Sequence, residues 1–278
     1  MFDICLHHGD MDGICSAAIV AQVSPNCEFY SIDYQDQTPW HLFDGKRVII
    51  VDFTLQPFAD MFLLKEMASR LVWIDHHKSQ IQNEQVLGFQ CEGIRREGDA
   101  GCELTWEFFF PEVKIPRVVT MLGRYDVWKH NDDPNTLMFQ LGAKSLSRDP
   151  NSMIWEDLLR CNIRIPEVIE KGRVIQDYFN NSPSFFDTNS FPIEFEGINF
   201  IACNREGGSK AFSKIFDTHQ HDAMLTFIRL KDKWKVVMYS ENPEIDLSVV
   251  AAKYGSDGKG GGHRGAAGFI CYELPFKV

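Results

Sequence analysis

Four segments of the chain combine carboxylate and imidazole side chains at spacings that suit metal-assisted chemistry. Residues 8–13 read His-Gly-Asp-Met-Asp-Gly, so two carboxylates separated by one residue follow a histidine. Asp52 comes directly after the apolar run 48–51, residues 75–77 read Asp-His-His, and Asp126 stands alone. Divalent manganese prefers carboxylate and imidazole ligands, and it offsets the repulsion that clustered carboxylates would otherwise suffer. These residues therefore predict hydrolysis by a metal-activated water.

Each segment has a second interpretation when it is read alone. An Asp-x-Asp-Gly sequence is also typical of an acidic helix N-terminus, and an Asp after a buried strand is often a capping residue. Asp-His-His directly after an apolar run is much less common. Its Asp can hold an imidazole in one tautomer while one of the two histidines binds metal.

A glycine run near residue 260 is a different kind of signal. Residues 258–265 read Gly-Lys-Gly-Gly-Gly-His-Arg-Gly. We expect a loop whose backbone N–H groups approach an oxyanion, with charge-assisted donors from His263 and Arg264. A flexible glycine turn is the alternative interpretation.

The composition predicts a globular protein that acts on small anions. The 278 residues are 44% hydrophobic, and the formal net charge is −11. A net-negative protein is repelled by long polyanions, so long duplex DNA is not expected as a partner.

The eight cysteines form no CxxC pair, which argues against structural zinc and favours free thiols in a reducing cytoplasm. We expect neither a signal peptide nor a membrane span, since no apolar run approaches ~20 residues.

Short apolar runs alternate with helical patterns in the first part of the chain. The predicted strands are residues 2–6, 27–31, 48–51 and 71–74, and the predicted helices between them include 13–23 and 57–69. This alternation favours a parallel sheet, which collects ligands at the carboxyl ends of its strands. Because His8, Asp52 and Asp75 each follow a predicted strand, we expect them at that edge.

Two domains are predicted from the patterns beyond residue 100. Helical patterns run to about residue 181, ending in a long helix at 165–179, and the polar stretch 180–184 is typical of a boundary. We predict an α/β domain over residues 1–182, with a mostly parallel sheet flanked by helices, and a smaller α+β domain over residues 183–278. The active site is expected in the cleft between them. The second domain's predicted strands are 191–195, 198–203, 223–229 and 233–240, and its predicted helices are 209–216 and 247–254.

Taken in order, these segments resemble the motifs of the DHH phosphoesterase superfamily, which includes oligoribonuclease-like and RecJ-like enzymes. The segments at 8–13, 52, 75–77 and 126 are similar to four motifs of its catalytic domain. Residues 260–269 are similar to the signature of its DHH-associated C-terminal domain. The resemblance covers nearly the whole chain and implies a two-metal site, which usually holds manganese, with magnesium a weaker substitute.

The resemblance also implies a role for each matching residue. One ion would be held by His8, Asp10 and Asp52. The other would be held by Asp12, Asp52, His76 and Asp126, with Asp52 bridging the two. Some branches of the family place this histidine four residues before the first Asp, where this chain has Leu6. The choice between His7 and His8 therefore stays open, with His8 favoured because it fits the His-x-Asp-x-Asp-Gly pattern of other branches.

The remaining matching residues would act on the substrate. Asp75 would orient an imidazole, and His77 would contact the substrate phosphate. The second domain would bring further donors to that phosphate from Gly261, Gly262, His263 and Arg264.

The resulting expectation is a cytoplasmic, manganese-dependent phosphoesterase that acts on a small nucleotide or a short single-stranded oligonucleotide. A polyphosphatase or pyrophosphatase is an alternative, because the same metal core serves phosphoanhydrides. A non-catalytic nucleotide-binding regulatory module is a second alternative, although the intact carboxylates argue against it. The direction of attack and the oligomeric state, a homodimer included, stay open.

Overall fold

A computed structural model of the chain divides into two compact units, Met1–Asn181 and Ser182–Val278. The structure describes residues 1–130, 133–161, 163–181 and 185–278. Residues 182–184 of the predicted boundary lie outside the described residues. Within the described ranges, no helix is long and apolar enough to cross a membrane.

The first unit contains a four-stranded parallel sheet in the order β2-β1-β3-β4. The predicted α/β fold with a parallel sheet is therefore confirmed. Its strands and helices are β1 Ile4–His8, α1 Met11–Val23, β2 Glu28–Ile32, β3 Arg47–Val51, α2 Ala59–Met67, β4 Arg70–Ile74, α3 Lys78–Leu87, α4 Gly101–Phe109, α5 Arg117–Asp126, α6 Pro134–Ala143, α7 Met153–Cys161 and α8 Ile165–Asn181.

Both faces of this sheet are buried, because successive side chains of each strand point to opposite sides. Leu6, Ile50 and Trp73 belong to the core cluster on one face. Ile49 and Val72 belong to the cluster on the other. Burial on both faces explains why the strands read as continuous apolar runs. Because both faces are buried, the polar side chains of the sheet lie at the ends of its strands.

The second unit contains a mixed six-stranded sheet in the order β5-β6-β7-β8-β10-β9. The pair β6–β7 is parallel and the other pairs are antiparallel. Its elements are α9 Phe185–Asn189, β5 Phe191–Phe195, β6 Ile198–Cys203, β7 Ala223–Arg229, β8 Trp234–Tyr239, α10 Leu247–Tyr254, β9 Gly260–Gly262 and β10 Ala266–Cys271.

Two local predictions for this unit were wrong. The helix expected over 209–216 is only a short 3-10 turn at Ser209–Phe212. The glycine run expected as a loop forms the edge strand β9, in which Gly260, Gly261 and Gly262 pair with β10. Pairing with β10 satisfies the backbone N–H and C=O groups of these glycines, and this tertiary contact is not visible in the local sequence.

The backbones of helices α6 and α8 approach each other closely at two glycines. A Cβ built on Gly142 would lie 1.9 Å from the carbonyl oxygen of Val168, and one on Gly172 would lie 1.7 Å from that of Met138. Since the obstructing atoms are backbone atoms of the opposite helix, neither contact can be relieved by a side-chain rotation. Glycine is therefore required at both positions.

We predict that Gly172→Ala destabilises the protein by about 1–3 kcal/mol, because backbone overlap outweighs the ~1 kcal/mol that alanine gains in helix propensity. Urea denaturation of the purified variant measures the change. The control is Gly208→Ala, where a Cβ meets nothing within 4 Å. Equal stability of both variants would contradict the proposed close packing.

Candidate metal centre

The turn between β1 and α1 presents the first carboxylate. Asp10 is the N-cap of α1, where its Oδ1 accepts a hydrogen bond of 2.9 Å from the Gly13 N–H. A Cβ on Gly13 would lie 2.3 Å from the carbonyl oxygen of His8, so only glycine lets the helix start this close to the strand. The capping geometry leaves Asp10 Oδ2 3.0 Å from His8 Nδ1.

The two adjacent histidines have different surroundings. His7 is buried, and its Nδ1–H donates to the His8 carbonyl oxygen at 2.8 Å. His8 instead faces Asp10, and its Nδ1 is 3.9 Å from Asp52 Oδ2. Burial alone would lower the pKa of His8, but Asp10 and the neighbouring carboxylates raise it to about 9. His8 is thus the histidine that the structure brings to the carboxylates.

Asp12 is buried and accepts two hydrogen bonds from backbone amides at the start of α4. Its Oδ2 accepts from the Gly101 N–H and its Oδ1 from the Cys102 N–H, both at 2.8 Å. These amides belong to the positive end of a helix dipole, which stabilises a carboxylate. Asp12 therefore fixes the N-terminus of α4 as well as adding charge to the cluster.

Asp52 lies at the centre of the cluster, directly after β3. Its backbone has φ 54°, the left-handed region that non-glycine residues seldom adopt. A Cβ on Gly101 would lie 2.6 Å from the Cβ of Asp52 and 2.9 Å from its Oδ1. Asp52 is accordingly held against α4, and only glycine at position 101 leaves it room.

His76 and Asp126 complete the group around Asp52. His76 Nε2 is 3.0 Å from Asp52 Oδ1, 3.5 Å from Asp12 Oδ2 and 3.4 Å from Asp126 Oδ2. Asp126 is the last residue of α5, so the helix brings a carboxylate from outside the sheet. The structure thereby gathers into one place all six residues expected to bind metal.

Asp75 is fully buried and holds the imidazole of His77. Its Oδ1 lies 2.7 Å from His77 Nδ1 and also accepts from the His76 N–H at 2.7 Å. Its Oδ2 accepts a hydrogen bond from the Thr54 hydroxyl. Burial alone would raise the pKa of Asp75, but His77 and these hydrogen bonds hold it below its usual range. Asp75 is therefore a charged group that fixes the ring of His77.

The donor set fits divalent ions. Ligand atoms of His8, Asp10 and Asp52 lie within 4.8 Å of one another, and so do those of Asp12, Asp52 and His76. Ligands on opposite sides of one ion are about 4–5 Å apart. Among the described residues, neither buried oxygen of Asp52 accepts a hydrogen bond of good geometry, although His76 Nε2 lies 3.0 Å from Oδ1. A carboxylate shared by two ligand groups and without such hydrogen bonds suits a bridging role between cations.

The electrostatics of the cluster also favour the binding of cations. Burial, together with the carboxylates of Asp12 and Asp10, raises the pKa of Asp52 well above its usual range. Burial and the same carboxylates raise the pKa of Asp126. Negative charge gathered in this way is unfavourable unless cations offset it.

The other predicted substrate residues belong to the second unit. Gly261 and Gly262 pair with Gly268 and Ala267 in the β9–β10 hairpin, whose tight turn is closed by a 2.7 Å hydrogen bond from the His263 N–H to Ala266. The neighbouring Arg264 side chain is half exposed and anchored locally. Its Nε donates to the Pro243 carbonyl oxygen at 2.7 Å, and its Nη1 is 3.6 Å from Asp246 Oδ2.

Three residues beside the cluster were missed by the sequence reasoning. Thr54 holds the second oxygen of Asp75, and Gly101 makes room for Asp52. Arg148 donates to the carbonyl oxygen of Gly9, which places a cation beside the turn that carries Asp10. Thr54 lies two residues after Asp52 and could have been found from that proximity. Gly101 and Arg148 reach the site only through tertiary packing.

Comparison with known families decides the identity of the first unit. Residues 3–122 match the model of the DHH family, N-terminal domain. Residues 3–122 of the first unit therefore form a DHH-family N-terminal domain. The predicted resemblance is confirmed here, whereas a DHH-associated C-terminal domain stays a prediction.

Known proteins match over most of the chain. An uncharacterized protein of Acanthamoeba polyphaga mimivirus is 26% identical over 255 residues, covering 86% of this chain and 55% of the relative. This chain thus spans about half the length of that relative. A pGpG-specific phosphodiesterase from Vibrio cholerae has a TM-score of 0.51 at 12% identity, covering 97% of this chain and 93% of its own. An exopolyphosphatase-related protein from Bacteroides fragilis has a TM-score of 0.48 at 16% identity, covering 98% and 87%.

We predict that Asp52→Asn stabilises the metal-free protein but abolishes stabilisation by Mn²⁺. The folded-state pKa of Asp52 is raised, so its ionisation costs stability above the unfolded pKa, at ~1.4 kcal/mol per pKa unit. Asparagine tolerates the left-handed backbone of this position. Urea denaturation at pH 7.5, in EDTA and in Mn²⁺, measures both effects. Wild-type-like stabilisation of the variant by Mn²⁺ would rule out Asp52 as a bridging ligand.

Proposed function

We propose that the protein is a manganese-dependent phosphoesterase that hydrolyses phosphodiester bonds in short oligonucleotides or small nucleotides. The observation that carries the proposal is the buried carboxylate of Asp52, which is common to the group of His8 and Asp10 and to the group of Asp12 and His76. Membership of the first unit in the DHH family supports a hydrolytic rather than a regulatory role.

The metal ligands we assign are His8, Asp10, Asp12, Asp52, His76 and Asp126. When bound, two divalent ions would offset the carboxylate charge, lower the pKa of a water and stabilise charge developing on a phosphate. The backbone amides of α4 hold Asp12 in place, and the N-terminus of α1 holds Asp10. These hydrogen bonds position the ligands before any ion arrives.

We assign His77 to the substrate phosphate and Asp75 to the orientation of its ring. Because Asp75 holds Nδ1, the ring of His77 is oriented so that its Nε2 side can face a phosphate oxygen. Gly261, Gly262, His263 and Arg264 are proposed as further phosphate donors.

Charge supports a small substrate. The net charge of −11 opposes the counterion-driven binding that long nucleic acids depend on. A short nucleotide needs only a local positive site, which bound cations and a few basic side chains supply.

We predict that EDTA abolishes hydrolysis and that Mn²⁺ restores it more effectively than Mg²⁺, because the ligand set includes imidazoles. The substrates to compare are a linear dinucleotide such as pGpG, a cyclic dinucleotide, a 3′,5′-bisphosphate, pyrophosphate and polyphosphate. Chromatography of the products measures each rate.

Fastest release of mononucleotides from the linear dinucleotide is the expected result. Faster cleavage of polyphosphate or pyrophosphate would instead establish the phosphoanhydride alternative. A protein that binds Mn²⁺ and nucleotides but cleaves none of these substrates would be a binding module.

Replacing the two adjacent histidines should separate metal binding from catalysis. His77→Ala is expected to keep its manganese and lose about 10²–10⁴-fold in kcat, because a side chain positioned on the substrate phosphate is removed. His76→Ala is the matched variant and is expected to lose metal as well, since its Nε2 lies 3.0 Å from Asp52. Elemental analysis and steady-state kinetics measure both. Loss of manganese from His77→Ala would contradict the assignment.

A further inference from the structure

A cleft of about 600 Å³ lies on the first unit at the N-terminal end of α5. Its lining includes three apolar residues, Ile115, Pro116 and Leu159, and the aromatic residue Trp106. This volume is within the range of sites that hold small molecules. The cleft is separate from the carboxylate cluster, since Arg117 begins α5 and Asp126 ends it, about 14 Å away along the helix axis.

Three cations line the same cleft although the protein as a whole is acidic. Lys114, Arg117 and Arg160 contribute side chains to its wall. Arg160 forms an ion pair of 2.8 Å with Glu156. Neither Lys114 nor Arg117 forms an ion pair with a carboxylate in the part of the chain that the structure describes. With a net charge of −11, such a concentration of unpaired positive charge favours an anionic ligand.

The start of α5 adds backbone donors to these cations. Its N-cap is Pro116, which makes no side-chain capping hydrogen bond to the first turn. The first-turn amides of a helix point outward and carry its positive partial charge, which is how helix N-termini bind phosphate. Arg117 adds a planar guanidinium that suits phosphate oxygens.

Trp106 and its neighbours give the cleft an apolar side. The indole N–H of Trp106 donates to the Val113 carbonyl oxygen at 3.1 Å, and the ring lies 4.6 Å from that of Phe110. These contacts hold the indole in a fixed orientation. A fixed aromatic ring beside cations is the combination that binds a nucleobase and its phosphate together.

We propose that this cleft is a second binding site, distinct from the metal centre, and that it takes a nucleoside monophosphate. The phosphate is received by Lys114, Arg117 and the N-terminus of α5. The base lies against Trp106 and the apolar floor at Ile115 and Leu159.

Binding of adenosine 5′-monophosphate to the full-length protein in excess EDTA tests the proposal. Calorimetry gives the affinity, and Trp106→Leu tests the aromatic side. The charge variant is Lys114→Ala combined with Arg117→Gln, and its affinity is expected to fall about tenfold or more, because charge-assisted contacts are lost. Lys46→Ala is the matched control, since Lys46 is an exposed lysine outside the cleft, and it is expected to bind as the wild type does.

Adenosine and inorganic phosphate are tested separately. Each is expected to bind at least about tenfold more weakly than the nucleotide, because it uses only one side of the cleft. Equal affinity for inorganic phosphate would overturn the nucleotide assignment. Unchanged affinity of the charge variant, or binding that requires Mn²⁺ and is lost in Asp52→Asn, would place the nucleotide elsewhere and overturn the proposal. Circular dichroism of each variant verifies that its substitutions leave the fold intact.

Discussion

The first unit is organised around one unfavourable requirement, the burial of several carboxylates close together. Asp52 is the clearest case, because it is buried, adopts φ 54° and accepts no side-chain hydrogen bond of good geometry among the described residues. Such a group raises the free energy of the folded chain unless cations reach it. Divalent ions that bind this cluster would therefore also stabilise the folded domain.

Two helices reduce the electrostatic cost and fix the geometry. Asp10 caps α1, and Asp12 accepts two amides at the start of α4, so positive helix ends face negative side chains. Helix α4 then positions α5, because a Cβ on Gly123 would lie 2.7 Å from the carboxyl carbon of Glu103. That close approach brings Asp126, at the end of α5, to the residues that follow the strands. Each contact serves both folding and ligand placement.

The buried polar network extends beyond the metal ligands and follows the same logic. Asp75 accepts hydrogen bonds from the His76 and His77 amides, the His77 ring and the Thr54 hydroxyl. A fully satisfied buried carboxylate stays charged and rigid, whereas one without donors needs a cation. The contrast between Asp75 and Asp52 thus distinguishes a residue that orients an imidazole from one suited to bind metal.

The sequence by itself determined the parallel sheet, because strands that are buried on both faces appear in the sequence as short apolar runs. Polar residues of the sheet are then expected where these runs end. It also predicted the carboxylates and histidines of the candidate metal centre, most of which lie at or just after strand ends, whereas Asp126 is the last residue of helix α5. Only the tertiary structure showed that His8 rather than His7 faces the carboxylates, because neighbouring residues of a strand point to opposite faces. The roles of Gly101 and Arg148 could not be predicted from the sequence either, since both residues reach the site from distant parts of the chain. The strand at the glycine run also depends on a tertiary contact. Its hydrogen bonds are made with β10, and no local sequence pattern specifies that partner.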